Sequence, residues 1–142
     1  MINPCKWNAF NSYKNPKHKT QVFGIIAISK QNKVLLVKGR ERNKWSFPKG
    51  HIKNNENSYQ CALRECYEET GIQFDDILYD HSKKLYSGEY YIYKDLEEFS
   101  PNINDTTEIM EANWFTIREI IDMKNNIDVN HFLNIHTKYI TN

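Results

Sequence analysis

The sequence predicts an α/β fold in which a β-sheet packs against helices. Two aliphatic, β-branched runs, Val22–Ser29 and Lys33–Lys38, are typical of buried strands. A stretch of good helix formers runs from Ser58 to Gly71 with no glycine or proline inside it. The aromatic-rich segment Glu89–Lys94 predicts a further strand. At 142 residues, the chain has room for one domain around one core.

The first elements follow in a simple order. The two aliphatic runs are joined by a short polar link and predict a buried hairpin. A charged loop, Gly39–Lys44, comes next, and Trp45–Lys49 then continues in an extended conformation. The helix that follows is predicted to use Ser58 as its N-cap and Gly71 as the glycine that stops it.

The second half predicts short strands and two short helices. Strands are expected at Ile77–Asp80, Leu85–Ser87 and Ala112–Phe115, with a polar loop over Asp95–Thr107. A capping box opens a helix that runs through Met123, and a last helix follows it. The residues that define these helices are Thr116 and Glu119 for the capping box, Asp128 or Asn130 as the cap of the last helix, and Val129, Phe132, Leu133 and His136 on its inner side.

Charge divides the chain into a basic N-terminal segment and a slightly acidic remainder. The whole chain has a net charge of +1, but residues 1–19 carry four lysines and no acidic residue, which leaves −3 for the rest. We therefore expect two units, a basic and aromatic segment over 1–19 and a folded domain over 20–142. The domain does not attract polyanions by bulk charge, so any affinity for nucleic acid must come from local placement or from the N-terminal segment.

Other patterns exclude several protein classes. No apolar run is long enough to span a bilayer, and the N-terminus lacks a signal-peptide core, so a cytoplasmic location without membrane association is expected. The three cysteines, Cys5, Cys61 and Cys66, are predicted to be free thiols, because the last two share one helix on different faces. The spacing of His131 and His136 does not indicate zinc.

Three carboxylates crowd one side of the central helix. Glu65, Glu68 and Glu69 are three and four residues apart, which costs about 0.2–0.5 kcal/mol per like-charged pair. Two of them also lie at the negative end of the helix dipole. A chain that accepts both penalties is predicted to neutralise the cluster with a hard divalent cation such as Mg²⁺, which prefers carboxylate oxygen and bridges to substrate phosphates. A solvated acidic face is the alternative.

The register around this helix extends the pattern. Gly50 is followed by Glu56 after five residues, then by Arg64-Glu65 after seven more, and then by Glu68-Glu69 and Gly71-Ile72. This is the Nudix box, and the chain resembles the Nudix hydrolase family through it. The resemblance implies an α/β/α sandwich with a mixed β-sheet. It also implies hydrolysis of a phosphoanhydride bond with Mg²⁺ or Mn²⁺.

The resemblance also assigns roles within the box. Glu65, Glu68 and Glu69 would be catalytic residues and metal ligands, and Gly50 would offer a backbone contact to metal or phosphate. Arg64 would orient a glutamate, either Glu56 or one of the last pair. With these glutamates present, we expect an active pyrophosphatase rather than a binding module that recognises nucleotide or RNA without cleaving it.

Segments outside the box resemble the mRNA-decapping members of the family. They are Trp45–Gly50, the helix from Cys61 to Gly71, and Thr107–Phe115. In the last segment Glu108 takes the place of a further catalytic glutamate, with Glu111 as the nearby rival. The expected substrate is therefore capped RNA, with release of 7-methylguanosine diphosphate. Two departures from the cellular decapping enzymes are the missing helical regulatory domain and a last helix that is not notably basic.

Substrate-binding residues are expected beside the box. Lys49 is a predicted phosphate ligand, and His51 is a candidate that faces substrate or solvent. Trp45 is a candidate for base stacking or for anchoring its loop in the core. Tyr91 belongs to a tyrosine-rich strand that offers stacking surface, although some of these rings must be core by alternation.

Other substrates stay open. The segment Pro48–His51 is also similar to the diadenosine-tetraphosphate hydrolases and to the diphosphoinositol-polyphosphate hydrolases. A nucleotide-type small molecule is thus the alternative to capped RNA. The four lysines of residues 1–19 interleave with aromatic residues and predict either an RNA contact or a solvated segment.

Overall fold

A computed structural model describes residues 21–140, with side chains described to residue 136. The predicted N-terminal unit, 1–19, lies outside the described residues. The elements in chain order are β1 (Val22–Ser29), β2 (Lys33–Gly39), β3 (Trp45–Ser46), β4 (Lys49–His51), α1 (Ser58–Thr70), β5 (His81–Lys84), β6 (Gly88–Leu96), β7 (Ile109–Thr116), α2 (Ile117–Ile121) and α3 (Ile127–Ile140).

The strands form one mixed sheet with β1 at its centre. β1 pairs in parallel with β6 along its length, and antiparallel with β4 at its start and with β2 at its end. β2 pairs antiparallel with β3 and β7, and β5 covers the free edge of β6. The main path through the sheet is therefore β3-β2-β1-β6-β5. The predicted α/β architecture with a mixed sheet is confirmed.

The sheet buries both of its faces. On one face Ile25, Ala27 and Leu35 pack with Ala62 and Cys66 of α1. The opposite face packs against α2 and α3, through the side chains of Ile26, Val34, Leu36, Phe47, Ile120, Val129, Phe132 and Leu133. Successive side chains of a strand point to opposite faces of the sheet. Because helices cover both faces, both sets of side chains are buried and the fold is a sandwich. The predicted inner side of the last helix is confirmed.

Two strand predictions are wrong. Strands were expected at Ile77–Asp80 and Leu85–Ser87, but the observed strand is His81–Lys84, between them. Its side chains are largely exposed because, among the described residues, β5 is an edge strand whose backbone pairs with β6 alone. Edge strands are commonly polar and charged, so apolar content does not find them. Ile77 and Leu85 are apolar because they pack on the core from the flanking loops.

Of the two helix N-termini predicted in the second half of the chain, one is confirmed and one is wrong. The capping box of Thr116 and Glu119 is confirmed, although the helix it opens ends at Ile121 rather than Met123. The cap of α3 is neither Asp128 nor Asn130, because Asn126 Oδ1 accepts a hydrogen bond from Val129 N at 2.9 Å.

None of the helices in residues 21–140 is both long and apolar enough to cross a membrane. Cys61 and Cys66 are buried, free thiols, as predicted. Burial raises the pKa of the Cys61 thiol to about 11 and that of Cys66 to about 12. Both thiols therefore stay protonated at neutral pH and act as packing groups.

Candidate active site

Helix α1 has a well-defined start and end. It begins after Asn57, whose side chain accepts a hydrogen bond from Gln60 N while the Gln60 side chain accepts one from Asn57 N. The predicted N-cap, Ser58, is wrong by one residue, because its hydroxyl bonds instead to the Tyr91 hydroxyl at 2.7 Å. The predicted stop is confirmed, since Gly71 has a φ of 74° and donates to Tyr67 O at 2.8 Å. These ends fix the register of the acidic residues between them.

Arg64 links the helix to the loop before it. Its guanidinium lies 2.7 Å from Glu56 Oε1, 3.0 Å from Glu65 Oε2 and 3.3 Å from Glu68 Oε2. It also donates to His51 O at 3.1 Å. Hydrogen bonding to Arg64 lowers the pKa of Glu56 to about 2. Arg64 therefore holds Glu56 ionised and orients two box carboxylates from one position, as its predicted positioning role requires.

Glu69 is a buried carboxylate with little hydrogen bonding to offset its loss of hydration. Its exposed fraction is 4%, and the hydrogen bond that reaches it is from Lys49 N to Oε1 at 3.3 Å. Burial raises the pKa of Glu69 to about 8, opposed by the charge of Lys49 and reinforced by that of Glu65. A buried carboxyl with a raised pKa in a cleft is a common feature of functional sites.

Gly50 lets Glu65 approach the backbone of β4. A Cβ atom on Gly50 would lie 2.0 Å from the carboxyl carbon of Glu65, a distance that no side chain allows. Burial raises the pKa of Glu65, and the neighbouring Arg64 opposes that shift. The glycine at this position therefore serves the close packing of a carboxylate against the backbone, and every other residue would displace it.

Glu108 lies in the same cleft as part of the Nudix box. It precedes β7, lines the same cleft as Glu69 and Gly50, and its charge raises the pKa of both Glu65 and Glu69. Its rival, Glu111, is exposed on β7 opposite Lys38 and does not line this cleft. The structure thus brings Glu108 to the box carboxylates and leaves Glu111 on the outer surface.

A family profile for the NUDIX domain matches residues 18–134. The chain belongs to the Nudix family. Among curated proteins, it is 29% identical over 90% of its length to the m7GpppN-mRNA hydrolase of Saccharomyces cerevisiae, of which it spans 14%. It is 28% identical over 72% of its length to an RNA pyrophosphohydrolase of Haemophilus influenzae, of which it spans half.

Solved structures agree with this family at the level of fold. A C. elegans Ap4A hydrolase complex superposes with a TM-score of 0.69 at 20% identity, over 85% of this chain and 98% of that chain. The NUDIX domain of Shewanella oneidensis NrtR, complexed with ADP ribose, gives a TM-score of 0.66 at 17% identity over 89% of this chain and 93% of that chain. At such identities the similarity establishes the shared Nudix fold.

The Nudix box residues fit a divalent cation. Residues 21–136 hold no ready-made cage of three His, Cys, Asp or Glu side chains. Mg²⁺ does not need one, because it commonly binds through one or two carboxylates and keeps several waters. Glu65 and Glu69 are desolvated carboxylates whose pKa values are raised by burial, and the space beside Gly50 is filled by a carboxylate. A bound cation would offset the desolvation of both groups.

The predicted substrate residues fall into two groups. Lys49 and His51 line the cleft, and the charge of Lys49 acts on Glu69. Trp45 is half-buried and packs edge-on against Phe115 with ring centroids 4.8 Å apart, outside the cleft lining. Phe47, two residues further along the chain, is 1% exposed in the core. For Trp45 the position agrees with the anchoring alternative rather than with base stacking.

Tyr91 does not reach the cleft, which corrects its expected role in substrate binding. It is 7% exposed, its hydroxyl bonds to Ser58, and its ring packs against Tyr59 and Tyr79. Alternation along β6 turns it to the face that α1 covers, where it supports the start of that helix. Tyr91 is therefore a packing residue beneath the Nudix box.

Sequence reasoning missed a buried carboxylate in the cleft wall. Asp128 is fully buried and accepts hydrogen bonds from Ser87 N at 2.8 Å, from Ser87 Oγ at 2.6 Å and from Tyr90 OH. Ser87 lines the cleft, so this carboxylate fixes the turn before β6 against α3. No local pattern indicates the contact, because Ser87 and Asp128 are 41 residues apart.

Exchanging each of the two competing glutamates tests the placement of Glu108. We expect Glu108→Gln to reduce turnover at least about tenfold, because Glu108 lines the cleft with Glu69 and its charge acts on that carboxyl. Glu111→Gln removes the same charge three residues away on the outer surface and should leave turnover unchanged. Rates in excess Mg²⁺ and melting temperatures should be measured for both variants. A damaging Glu111→Gln beside a silent Glu108→Gln would contradict the assignment.

Proposed function

We propose that this Nudix protein is a pyrophosphohydrolase that removes the 5′ cap of mRNA with the help of Mg²⁺ or Mn²⁺. Water would cleave one phosphoanhydride bond of the cap, giving 7-methylguanosine diphosphate and RNA with a 5′ monophosphate. The observation that carries the proposal is that Glu108 lines the same cleft as Glu69 of the Nudix box, with the charge of Glu108 acting on Glu69. The similarity to a yeast m7GpppN-mRNA hydrolase over 90% of the chain supports it.

The cation site would be built from the box. Glu65, Glu69 and the Gly50 carbonyl would hold the ion, with Glu68 beside them. When bound, the ion supplies neutralisation of phosphate charge and activation of a water molecule. Arg64 keeps the carboxylates of Glu65 and Glu68 in place through contacts of 3.0 and 3.3 Å.

The remaining residues of the site would act on substrate and water. Lys49 lies in the cleft with its charge next to Glu69, where its ammonium would contact a bridging phosphate. Glu108, which lines the cleft with Glu69, would accept a proton from the attacking water. His51, at the exposed end of β4, would face the leaving group.

The cleft can accommodate a nucleotide with its phosphates. Its volume is about 960 Å³, at the upper end of the usual range for small-molecule sites. Both carboxylates and basic side chains line it. That combination suits a polyphosphate chain whose charge is met partly by a cation and partly by the protein.

A dinucleoside polyphosphate is the second candidate, because the segment Pro48–His51 also resembles the diadenosine-tetraphosphate hydrolases. The discriminating experiment compares kcat/KM for capped RNA, RNA with a 5′ triphosphate, and diadenosine tetraphosphate, with products identified by mass spectrometry. We expect capped RNA to be preferred and to yield the diphosphate of 7-methylguanosine. A kcat/KM for diadenosine tetraphosphate that is at least about ten times higher would overturn the decapping proposal.

The same panel tests whether the chain is a non-catalytic binding module. Each substrate should be incubated with wild type in Mg²⁺, with wild type in chelator, and with Glu69→Gln in Mg²⁺. Products that form only in the first mixture would support an enzyme that uses the Nudix box. Binding of substrate without product in all three mixtures would support a module that recognises its ligand and leaves it intact.

A further inference from the structure

The charged loop between β2 and β3 forms a wall of the cleft. Its residues Arg40, Arg42 and Lys44 all line the same cavity as Glu69 and Glu108. The loop also contains Glu41, so its net charge is +2. We call Arg40–Lys44 the basic loop. The slightly acidic balance of residues 20–142 makes this local concentration of positive charge distinct from the rest of the domain.

The basic loop is held in a defined shape. Gly39 N donates to Lys44 O at 3.2 Å and Asn43 N donates to Gly39 O at 3.0 Å, which closes the turn. Asn43 has a φ of 59°, in the left-handed region that asparagine tolerates better than most residues. A rigid loop presents its charged side chains without a large entropic cost on binding.

Arg40 fixes the loop to the segment that carries Glu108. Arg40 N donates to Glu108 O at 2.8 Å, and Arg40 Nε donates to Thr106 O at 2.9 Å. This side chain is therefore partly committed to the protein itself. These hydrogen bonds fix the position of the loop relative to the catalytic candidate Glu108. A ligand of the loop would therefore lie at a fixed place relative to the cleavage site.

The side chains of Arg42 and Lys44 have no polar interaction partner in the described part of the chain. Arg42 is exposed and Lys44 is half-buried, and neither side chain has a hydrogen-bond or ion-pair partner among residues 21–136. The side chains of Lys30 and Arg64, in contrast, lie 2.7 Å from glutamate oxygens. Two unpaired cations on a rigid cleft wall are suited to bind an anion from outside the protein.

We infer that Arg42 and Lys44 bind phosphodiester groups of the RNA chain that adjoins the cap. The inference rests on the proposed function, since it assigns the part of the substrate that extends beyond the scissile phosphoanhydride. It also supplies an RNA contact within the domain, where the last helix is not notably basic. The first phosphodiesters would lie along the basic loop while the cap phosphates lie at the carboxylates.

Charge placement favours the RNA chain over the cap phosphates as the ligand of this loop. The cap phosphates would be met by the cation, by Lys49 and by the box. The charges that act most strongly on the buried Glu69 come from Lys49, Glu65 and Glu108 rather than from Arg42 or Lys44. The two unpaired cations thus belong to a part of the cleft outside the immediate surroundings of the buried carboxylate, which is where a longer substrate would continue.

The test compares a double variant, Arg42→Gln with Lys44→Gln, against a charge-matched control. The control is Lys83→Gln with Lys84→Gln, which removes two positive charges from edge strand β5, outside the cleft lining. Two substrates are used for turnover, a capped RNA oligonucleotide and the cap dinucleotide alone. In addition, binding of the capped oligonucleotide is measured against salt concentration in chelator, and melting temperatures verify that every variant is folded.

The inference predicts a loss that depends on the RNA chain. The Arg42→Gln, Lys44→Gln protein should lose about tenfold in kcat/KM on the capped oligonucleotide and less than about twofold on the cap dinucleotide. Its salt-dependence slope should fall by about 1.4, which is the value for two phosphate contacts on a single strand. The control variant should match wild type in both assays.

Other outcomes overturn the inference and separate it from the proposed function. Equal losses on both substrates would place the loop on the cap phosphates, and an unchanged slope with unchanged rates would remove it from the substrate altogether. If wild type fails to cleave capped RNA, the proposed function is wrong. The salt-dependence slope of RNA binding would still test the role of the basic loop. A fall of about 1.4 in the double variant would support an RNA contact, and an unchanged slope would reject it.

Discussion

Replacing Glu69 by glutamine is expected to reduce turnover at least about a hundredfold in excess Mg²⁺, the scale of losing a principal electrostatic or acid–base group. Glu69 is the most buried of the box carboxylates, with 4% of its surface exposed. Its burial means that a bound cation would meet a desolvated oxygen ligand, which strengthens the interaction. Glutamine keeps the shape of the side chain and removes the charge that the cation needs.

The same variant should fold at least as well as wild type without metal. A carboxyl whose pKa is raised to about 8 is mostly protonated at neutral pH, and glutamine resembles that neutral form. Rates and melting temperatures should be measured together, with Glu111→Gln as the control that removes an exposed carboxylate. Near-wild-type turnover in Glu69→Gln would reject the cation-site assignment, and a large loss of melting temperature would show that the activity loss reflects unfolding.

The metal-free protein should become less stable as pH rises through the neutral range. The pKa of Glu69 is about 8 in the folded state against 4.5 in a model glutamate, so the folded state holds the proton more tightly. This contribution is complete below about pH 4.5, and it is lost as pH rises towards about 8. A single group with such a shift changes the free energy of unfolding by a few kcal/mol at most.

Denaturant unfolding in chelator, between about pH 5 and pH 9, measures this effect. The decline in the free energy of unfolding should be shallower in Glu69→Gln than in wild type, while Glu111→Gln should follow wild type. Glu65, whose pKa is also raised by burial, contributes to the decline that remains. Glu56 acts in the opposite direction and only in acid, because its pKa is lowered to about 2. Parallel curves for wild type and Glu69→Gln would contradict the buried position of that carboxyl.

The buried site links these two experiments. Cation binding at the proposed site would require an ionised Glu69, so binding should release a proton near neutral pH and the affinity should rise with pH. Burial of the ionised Glu69 therefore destabilises the metal-free protein at high pH, and a bound cation would offset this loss of stability. An exposed carboxylate cluster would show neither the stability decline nor the proton release.

Local spacing by itself determined the box helix and its polar network. Gly71 ends α1 because only a residue tolerant of positive φ fits there, and that requirement is visible in sequence. Arg64 reaches Glu68 because residues four apart on a helix are neighbours. The continuous aliphatic and β-branched runs likewise placed β1 and β2 within a residue of their observed ends. Interactions of this kind act over a few residues, so a linear reading captures them.

Only the tertiary structure decided which side chains are buried and which distant ones meet. Tyr91 and the edge strand β5 were misjudged because cross-strand pairing, rather than composition, sets exposure in a sheet. The contact of Asp128 with Ser87 joins residues 41 apart, and the cleft brings Glu108 to a helix that ends at Thr70. Burial, and with it the raised pKa of Glu69, arises from the packing of the whole domain around a side chain. The position of the Glu69 carboxylate can be read from the sequence, but its raised pKa cannot. Desolvation sets that pKa, and it depends on every element that excludes water from the side chain.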